Sequence, residues 1–336
     1  MEEKRVVLGL SGGVDSAAAA LLLRRMGYRV LGVFLQGPGA DPAPARRAAA
    51  ELDIPLEIAD IREELEQKVI CPFVESYLRG ETPNPCILCN PAVKFRRLAE
   101  AADRLGAEKI ATGHYAVVRA GRLYASPSPK DQSYMLYRLP PEILARCVFP
   151  LGEVADKAET RAVAGRAGLS SSQTPDSMEI CFIPGGDHGD FIESRGLQPK
   201  TGNFVDEEGR VLGPHRGIHR YTVGQRRGLG IAAAGRLYVR RIDPESGDIV
   251  LSLEDAAAIG AALGGICMTD PAYSDKEAIP CRVRVRHSRR FEEGVFLPQK
   301  GRVEFARPVR ALTPGQSAVC YGEDGQVLGG GFILRE

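Results

Sequence analysis

The stretch VVLGLSGGVDSAAAALLLRRMGYRVLGVFL, Val6 to Leu35, decides the fold class. Val6 to Leu10 is a β-branched and aliphatic run, Ser11-Gly12-Gly13 is a turn, and Asp15 to Met26 is rich in alanine and leucine. After Gly27 a second apolar run covers Val30 to Leu35. A strand, a helix and another strand within about 30 residues form a βαβ unit, which implies a parallel sheet. Working outward, helical spacing recurs at Ala45 to Leu52 and Val93 to Leu105, and strands are expected at Leu56 to Ile58 and Lys109 to Thr112. One doubly wound α/β domain accommodates them all.

From about Gly202 the texture changes to short β-rich segments: Tyr238 to Ile242, Ile249 to Leu253, Arg282 to His287, Arg302 to Phe305 and Ser317 to Tyr321. Gly, Pro and Asp separate them, as in a small barrel or sandwich. A helix is expected at Leu253 to Leu263, and Asp270-Pro271 reads as a linker. The expected organisation is a parallel-sheet domain over 1–201, a small central β-rich domain over 202–269 and a C-terminal β-barrel over 270–336. Gly37 to Pro44, rich in Pro, Ala and Gly, is expected to be a mobile loop.

The 336 residues are 44% hydrophobic and 26% charged, which excludes a disordered chain or a coiled coil. Lys+Arg 44 against Asp+Glu 43 means that a polyanion would be held by local patches, not by bulk charge. The longest apolar run, around Ala17 to Leu23, falls short of the roughly 18 to 20 residues that cross a bilayer. The amino terminus lacks a signal-peptide pattern, so a cytoplasmic protein is expected. Eight dispersed cysteines then remain thiols, available for packing, metal binding or catalysis.

Gly9-Leu10-Ser11-Gly12-Gly13-Val14-Asp15-Ser16 sits where a strand ends and a helix begins, so its N–H groups meet the positive end of the helix dipole. Glycines allow close approach to a pyrophosphate, and Ser11 and Ser16 add hydroxyls. An ordinary tight βα turn is the plainer alternative. Neither G-x-x-x-x-G-K-[ST] nor G-x-G-x-x-G occurs. The S-G-G-x-D-S string resembles the PP-loop ATP pyrophosphatase superfamily, of adenine nucleotide alpha hydrolase-like fold, whose members split ATP between its α and β phosphates to adenylate a substrate oxygen. Asp15 then has two readings: a helix-start carboxylate that caps N–H groups, or an aid to Mg²⁺ carried by the phosphates.

Thr82-Pro83-Asn84-Pro85-Cys86-Ile87-Leu88-Cys89-Asn90 combines two prolines with a Cys-x-x-Cys and is expected to be a rigid loop, helical only after Pro91. A third thiol, Cys181, lies in Asp176-Ser177-Met178-Glu179-Ile180-Cys181-Phe182-Ile183, where a buried structural cysteine is the plainer reading. Further strings follow in order: Lys94-Phe95, Ala111 to Ala116 (ATGHYA), Lys130-Asp131-Gln132-Ser133-Tyr134, Glu179 to Ile183 (EICFI), Tyr221 to Ile231 (YTVGQRRGLGI) and Pro314 to Val319 (PGQSAV). Together they resemble the bacterial tRNA-uridine 2-sulfurtransferases (2-thiouridylases), from residue 6 to the carboxyl end.

That resemblance implies ATP-dependent exchange of oxygen for sulfur at C2 of the wobble uridine of tRNA. Adenylation makes the oxygen depart as AMP, and a sulfur nucleophile replaces it. By resemblance Cys89 is the nucleophile, Cys181 carries a persulfide delivered by a sulfur-carrier protein, and the two close a transient disulfide. Gly9 to Ser16, Leu35 and Gly113 would hold ATP with Mg²⁺. Asn84, Pro85, Cys86, His114, Lys130, Asp131, Gln132, Arg284, Val285 and Gln316 would meet tRNA or its base, although a core histidine and a polar turn are the plainer readings of His114 and of 130–132. Ionisation of the thiols near neutral pH is expected from an electropositive surface.

Two departures stand out. Cys86 replaces the family's aspartate, so Cys86, Cys89 and Cys181 also match the ligand number of a [4Fe-4S] cluster with one open iron, and the cluster and thiol-only routes both stay open. Zinc would need a fourth ligand, such as Cys71 or His188. Arg284-Val285 replaces the family's Arg-Tyr pair, removing a stacking tyrosine. Basic patches at His215 to Arg240 (Arg216, Arg220, Arg226, Arg227, Arg236, Arg240, no acid) and at Cys281 to Arg310 (nine Lys or Arg against three Glu) suit RNA phosphates. Arg282, Arg284 and Arg286 are expected on one side of a strand. The competing functions are another PP-loop adenylating ligase and a tRNA-binding paralogue without catalysis.

Overall fold

A computed structural model describes residues 4–175, 180–183 and 185–335. The first domain is a parallel sheet of β1 (Arg5–Gly9), β2 (Arg29–Gln36), β3 (Leu56–Asp60), β4 (Lys109–Ala111) and the short strand Cys147–Val148, in the order β3-β2-β1-β4-(147–148). Helix α1 (Val14–Arg25) buries Ala17 to Ala20 and Leu23 on one face of the sheet, and α2 (Ala43–Leu52) joins the same core through Ala48, Ala49 and Leu52. The helix Phe95–Arg104 covers the opposite face with Phe95, Leu98 and Ala102. Strand order reverses between β1 and β4, and an open α/β sheet binds ligands at such a point, beyond the carboxyl ends of its strands.

Strands 238–242, 249–252, 202–205 and 211–215 form the central four-stranded sheet. The last domain is a closed six-stranded barrel, in the order 257–268, 302–310, 292–297, 279–284, 317–321, 327–333. Closure leaves the barrel no free edge.

Two sequence expectations are overturned here. Leu253 to Leu263 is not a helix: Ala257–Met268 is the barrel's first strand, paired with Arg302–Arg310 and Val327–Ile333. Its alanines and glycines favour close approach over helix, since a Cβ on Gly260 would stand 2.9 Å from the Val303 carbonyl. Asp270-Pro271 is not a linker. Asp270 is buried inside the barrel sequence and caps the turn Pro271–Tyr273, accepting the Ala272 N–H at 3.0 Å. The barrel thus takes up a strand that begins before the 270 boundary.

The row of arginines is also different. Strand Ile279–Arg284 points Ile279, Cys281 and Val283 into the barrel and ends before Arg286. Arg282 donates to the Gly322 and Glu323 carbonyls, Arg286 to those of Arg310 and Ala311, and Arg284 is buried. All three guanidiniums are engaged by the chain itself. Arg220 likewise leaves the basic patch, binding Asp190 at 2.6 Å and Glu193 at 2.8 Å, whereas Arg216, Arg226, Arg227, Arg236 and Arg240 are exposed.

Candidate functional site

A cavity of about 410 Å³ opens at the carboxyl ends of β1 and β4. Its wall brings together Gly9, Leu10, Ser11, Asp15, Ser16, Leu35 and Gly113 with Cys86, Cys89 and Cys181. The sheet supplies the first group and two separate downstream segments supply the thiols.

The turn after β1 is held by its own hydroxyls. Ser16 Oγ donates to the Gly13 carbonyl at 3.0 Å and accepts the Ser11 N–H at 3.2 Å, and the Ser11 and Ser16 hydroxyls lie 3.1 Å apart. Gly13, the N-cap of α1, makes no side-chain cap, so the helix start presents N–H groups to an anion. Gly12 has φ +83°, and a Cβ there would stand 2.3 Å from the Pro44 carbonyl carbon. The 37–44 segment is therefore packed under the turn, and Gly37, Pro38 and Ala40 line the cavity. Gly113 is required by proximity instead: its Cβ would lie 2.9 Å from the Asp15 backbone. Val14 is buried beneath the helix start. Asp15 is bound by Lys157 Nζ, 2.6 Å from both carboxylate oxygens, and by the Tyr115 hydroxyl at 2.9 Å.

The thiol segment is not a loop. Asn84 caps a helical turn, Pro85–Cys89, by accepting the Cys86 N–H at 3.1 Å, with Pro85 in the first turn, where a missing N–H is harmless. A π-helical turn, Asn90–Lys94, then carries the chain past Pro91 into Phe95–Arg104. Such turns recur at functional sites. Asn90, buried, ties the helix to the next segment through the Met135 carbonyl at 2.9 Å. Cys86 is exposed and Cys89 half-buried on consecutive sides of one turn.

Cys89 and Cys181 are not predisposed to ionise. Burial pushes Cys89 up to about 11; the Lys94 ammonium and amide pull it down without prevailing, and Cys181 and Cys86 raise it further. Cys181 is an exposed residue, not the buried structural cysteine its apolar flanks suggest, yet desolvation of its thiol still raises it, against Lys94. The expected electropositive surface reduces, in this cavity, to one lysine. His114 is held well below its ordinary value by burial and then by Lys94, so its imidazole is neutral, 2.6 Å from the Thr112 hydroxyl through Nδ1. Lys94 faces all three groups, and sequence reasoning gave it no role. Its signal was the Cys89-to-Lys94 spacing, which lines up only in a π turn.

The remaining sequence candidates are dispersed. Pro85, His114 and Gln132 line the cavity, and Gln132 accepts the Tyr115 N–H at 3.0 Å. Lys130 is exposed on the preceding turn. Asp131 and Arg284 are buried away from it, where the barrel meets the first domain, and Val285 is buried in the barrel's own core. Gln316 donates to the Thr82 carbonyl at 2.7 Å, and Thr82 donates its N–H to the Pro314 carbonyl at 2.8 Å while its hydroxyl meets that of Thr222 at 2.9 Å. Neither proposed zinc partner reaches the thiols: Cys71 donates to Glu66, and His188 stacks on Tyr77 at 4.4 Å. Glu179 and its neighbours 176–178 lie outside the described residues. Among the described residues no three His, Cys, Asp or Glu side chains are arranged to hold a metal ion, and no helix is long and apolar enough to cross a membrane.

Residues 4–185 match the family model described as "tRNA methyl transferase HUP domain", 189–253 the "tRNA methyl transferase PRC-barrel domain" and 266–333 the "Aminomethyltransferase beta-barrel domain". The chain is 43% identical over 351 residues to "tRNA-specific 2-thiouridylase MnmA" of Syntrophotalea carbinolica, covering 99% of both. It is 41% identical to the protein of that name in Trichlorobacter lovleyi (98% of this chain, 97% of the relative) and 40% identical to that of Geobacter metallireducens (98% and 96%).

Proposed function

The chain belongs to the tRNA-specific 2-thiouridylase family, and from that premise we propose how its residues divide the ATP-dependent 2-thiolation of wobble uridine in tRNA. The carrying observation is the single cavity lined by Ser11 and Ser16 on one side and by Cys86, Cys89 and Cys181 on the other. An adenylated base held at the α1 N-terminus is within the same enclosure as the sulfur groups. A ligase that adenylates a carboxylate has no use for that second wall.

ATP enters as its Mg²⁺ complex, with the cation held by the phosphates, because Asp15 is already bound by Lys157 and Tyr115. Leu35 and Gly113 flank the adenosine end and the Gly9 to Ser16 turn takes the phosphates. The uridine O2 forms a bond to the α-phosphorus as the bond to the bridging oxygen breaks. That electron pair leaves with pyrophosphate, and the N3 proton passes to solvent. The terminal sulfur of a Cys181 persulfide, loaded by a sulfur-donor protein, then adds to C2, and AMP departs with the old oxygen. The Cys89 thiolate attacks Cys181 Sγ, the S–S bond breaks with its electron pair going to the base, N3 takes a proton back from solvent, and 2-thiouridine leaves behind a Cys89–Cys181 disulfide. An external dithiol reduces it for the next turnover. Lys94 is the cation that favours thiolate at both positions.

A second reading rests on Cys86, whose exposed thiol shares the cavity with the other two, giving the donor number of a [4Fe-4S] cluster. The arrangement of the described residues does not by itself fit: they form no three-donor metal group. RNA contact falls to His114, Gln132 and Lys130 beside the cavity and to the exposed Arg216, Arg226, Arg227, Arg236 and Arg240 of the central domain.

The test is thiolation of a tRNA transcript with Mg·ATP and a persulfide donor, read as 2-thiouridine by mass spectrometry of the digest, alongside iron and sulfide analysis after anaerobic purification. Product from an iron-free enzyme that vanishes in Cys89→Ser and Cys181→Ser supports the thiol route. Product that persists in both variants overturns it, and stoichiometric iron lost in Cys86→Asp would favour the cluster.

A further inference from the structure

We propose that Lys157 is a positioning residue of the nucleotide turn, neutralising Asp15 so that the turn can accept the pyrophosphate end of ATP; this rests on the reading of residues 9–16 as the ATP site. Asp15 is the only acidic side chain among the described residues that line the cavity. It stands in the first turn of α1, among the N–H groups that receive phosphate. A bare carboxylate there favours the helix start but repels the polyanion the turn has to hold. No cation in Gly9 to Ser16 offsets it.

The offset comes from a distant part of the chain. Lys157 is the first residue of the helix Lys157–Arg166, which packs along α1 and is capped by Asp156 through the Glu159 N–H at 2.9 Å. Its ammonium sits 2.6 Å from each Asp15 oxygen, with the lysine side chain 16% exposed. Tyr115 fixes the same carboxylate, its hydroxyl 2.9 Å from Oδ1 and 2.8 Å from the Thr160 hydroxyl one turn along Lys157's helix. The carboxylate is thereby held against the 157–166 helix with its charge balanced. Lys94, the lysine on the cavity wall itself, stands near Cys89, Cys181 and His114 and serves the sulfur side. The electron pair released at the bridging oxygen leaves with pyrophosphate, past a carboxylate that Lys157 keeps electrically silent.

Calorimetric titration of the full chain with inorganic pyrophosphate and, separately, with adenosine tests this. Lys157→Met should weaken pyrophosphate at least roughly tenfold at low salt, less at high salt, and leave adenosine within about twofold. Lys157→Arg should stay near wild type. Adding Asp15→Asn to Lys157→Met removes the charge that needed balancing, so pyrophosphate affinity should return to within about threefold of wild type. This double variant also guards against misfolding of the single one. Unchanged pyrophosphate affinity in Lys157→Met, or a double variant as weak as Lys157→Met, overturns the proposal. Wild-type protein that binds neither probe removes the ATP-site reading itself, and the proposal with it.

Discussion

Arg284, projecting outward from the barrel, forms an ion pair with Asp131 of the first domain, the two side chains 6% and 4% exposed. The guanidinium packs on two rings that touch each other edge to face, 4.2 Å from the Phe291 centroid and 4.9 Å from that of Tyr321. Asp131 also accepts the Ser126 N–H at 2.7 Å and the Ser133 hydroxyl at 2.9 Å. Both residues match tRNA-contacting positions by resemblance, yet here each is the other's partner. Replacing either alone strands a buried charge. Arg284→Met should cost about 3–5 kcal/mol in chemical denaturation, and Asp131→Leu with Arg284→Met should recover much of it. Equal losses in the single and double variants would show that the pair is not the cause.

The nucleotide turn gives a steric prediction with an internal control. Gly12 and Gly27 have nearly the same φ, +83° and +84°, but a Cβ on Gly27 meets nothing within 4 Å. Gly27→Ala should cost on the order of 1 kcal/mol from backbone strain alone. Gly12→Ala carries the same strain plus a clash with Pro44, so it should lose both more stability and ATP binding, measured by thermal melts with and without nucleotide.

Cys89 should be a slow nucleophile in the free enzyme. Its thiol titrates at about 11, and only the thiolate reacts, so alkylation of Cys89 by iodoacetamide should rise about tenfold per pH unit between 7 and 10. Site-resolved mass spectrometry reads this directly. Lys94→Met should slow it further, because the ammonium is the leading influence that opposes burial. A rate already flat by pH 8 would contradict the assignment.

His114 predicts an acid-side effect. Its folded-state value lies well below the unfolded one, so the folded protein binds fewer protons, and stability is lost as pH falls through about 6.5. His114→Asn should therefore lose less stability than wild type between pH 7 and pH 5, by denaturant titration. His188, His215 and His219 are lowered too, so the variant flattens the acid limb without abolishing it.

Much of the first domain could be read from residues. Val6 to Leu35 predicts β1, α1 and β2 to within a residue or so at each end, because each buries one continuous apolar set. Local propensity misleads where closure of the barrel decides: Leu253 to Leu263 has helical composition, but its neighbours on both sides are strands. Motif reading selected the residues that share the cavity, Ser11, Cys86, Cys89, Cys181 and Gly113 among them. It gave no role to Lys157 or Tyr115, whose importance depends on meeting Asp15 from 142 and 100 residues away along the chain. Nor could it separate an arginine that faces solvent from one, like Arg284, that another domain covers.

Thr82 is tied at once to Pro314 and Gln316 of the barrel domain and to Thr222 in a loop of the central domain, just upstream of the cysteine turn. The stalk that carries Cys86 and Cys89 is thus moored to both appended modules. The two walls of the cavity therefore differ in footing: the glycine turn grows out of the first domain's own sheet, while the cysteine turn follows directly on a point where all three domains meet.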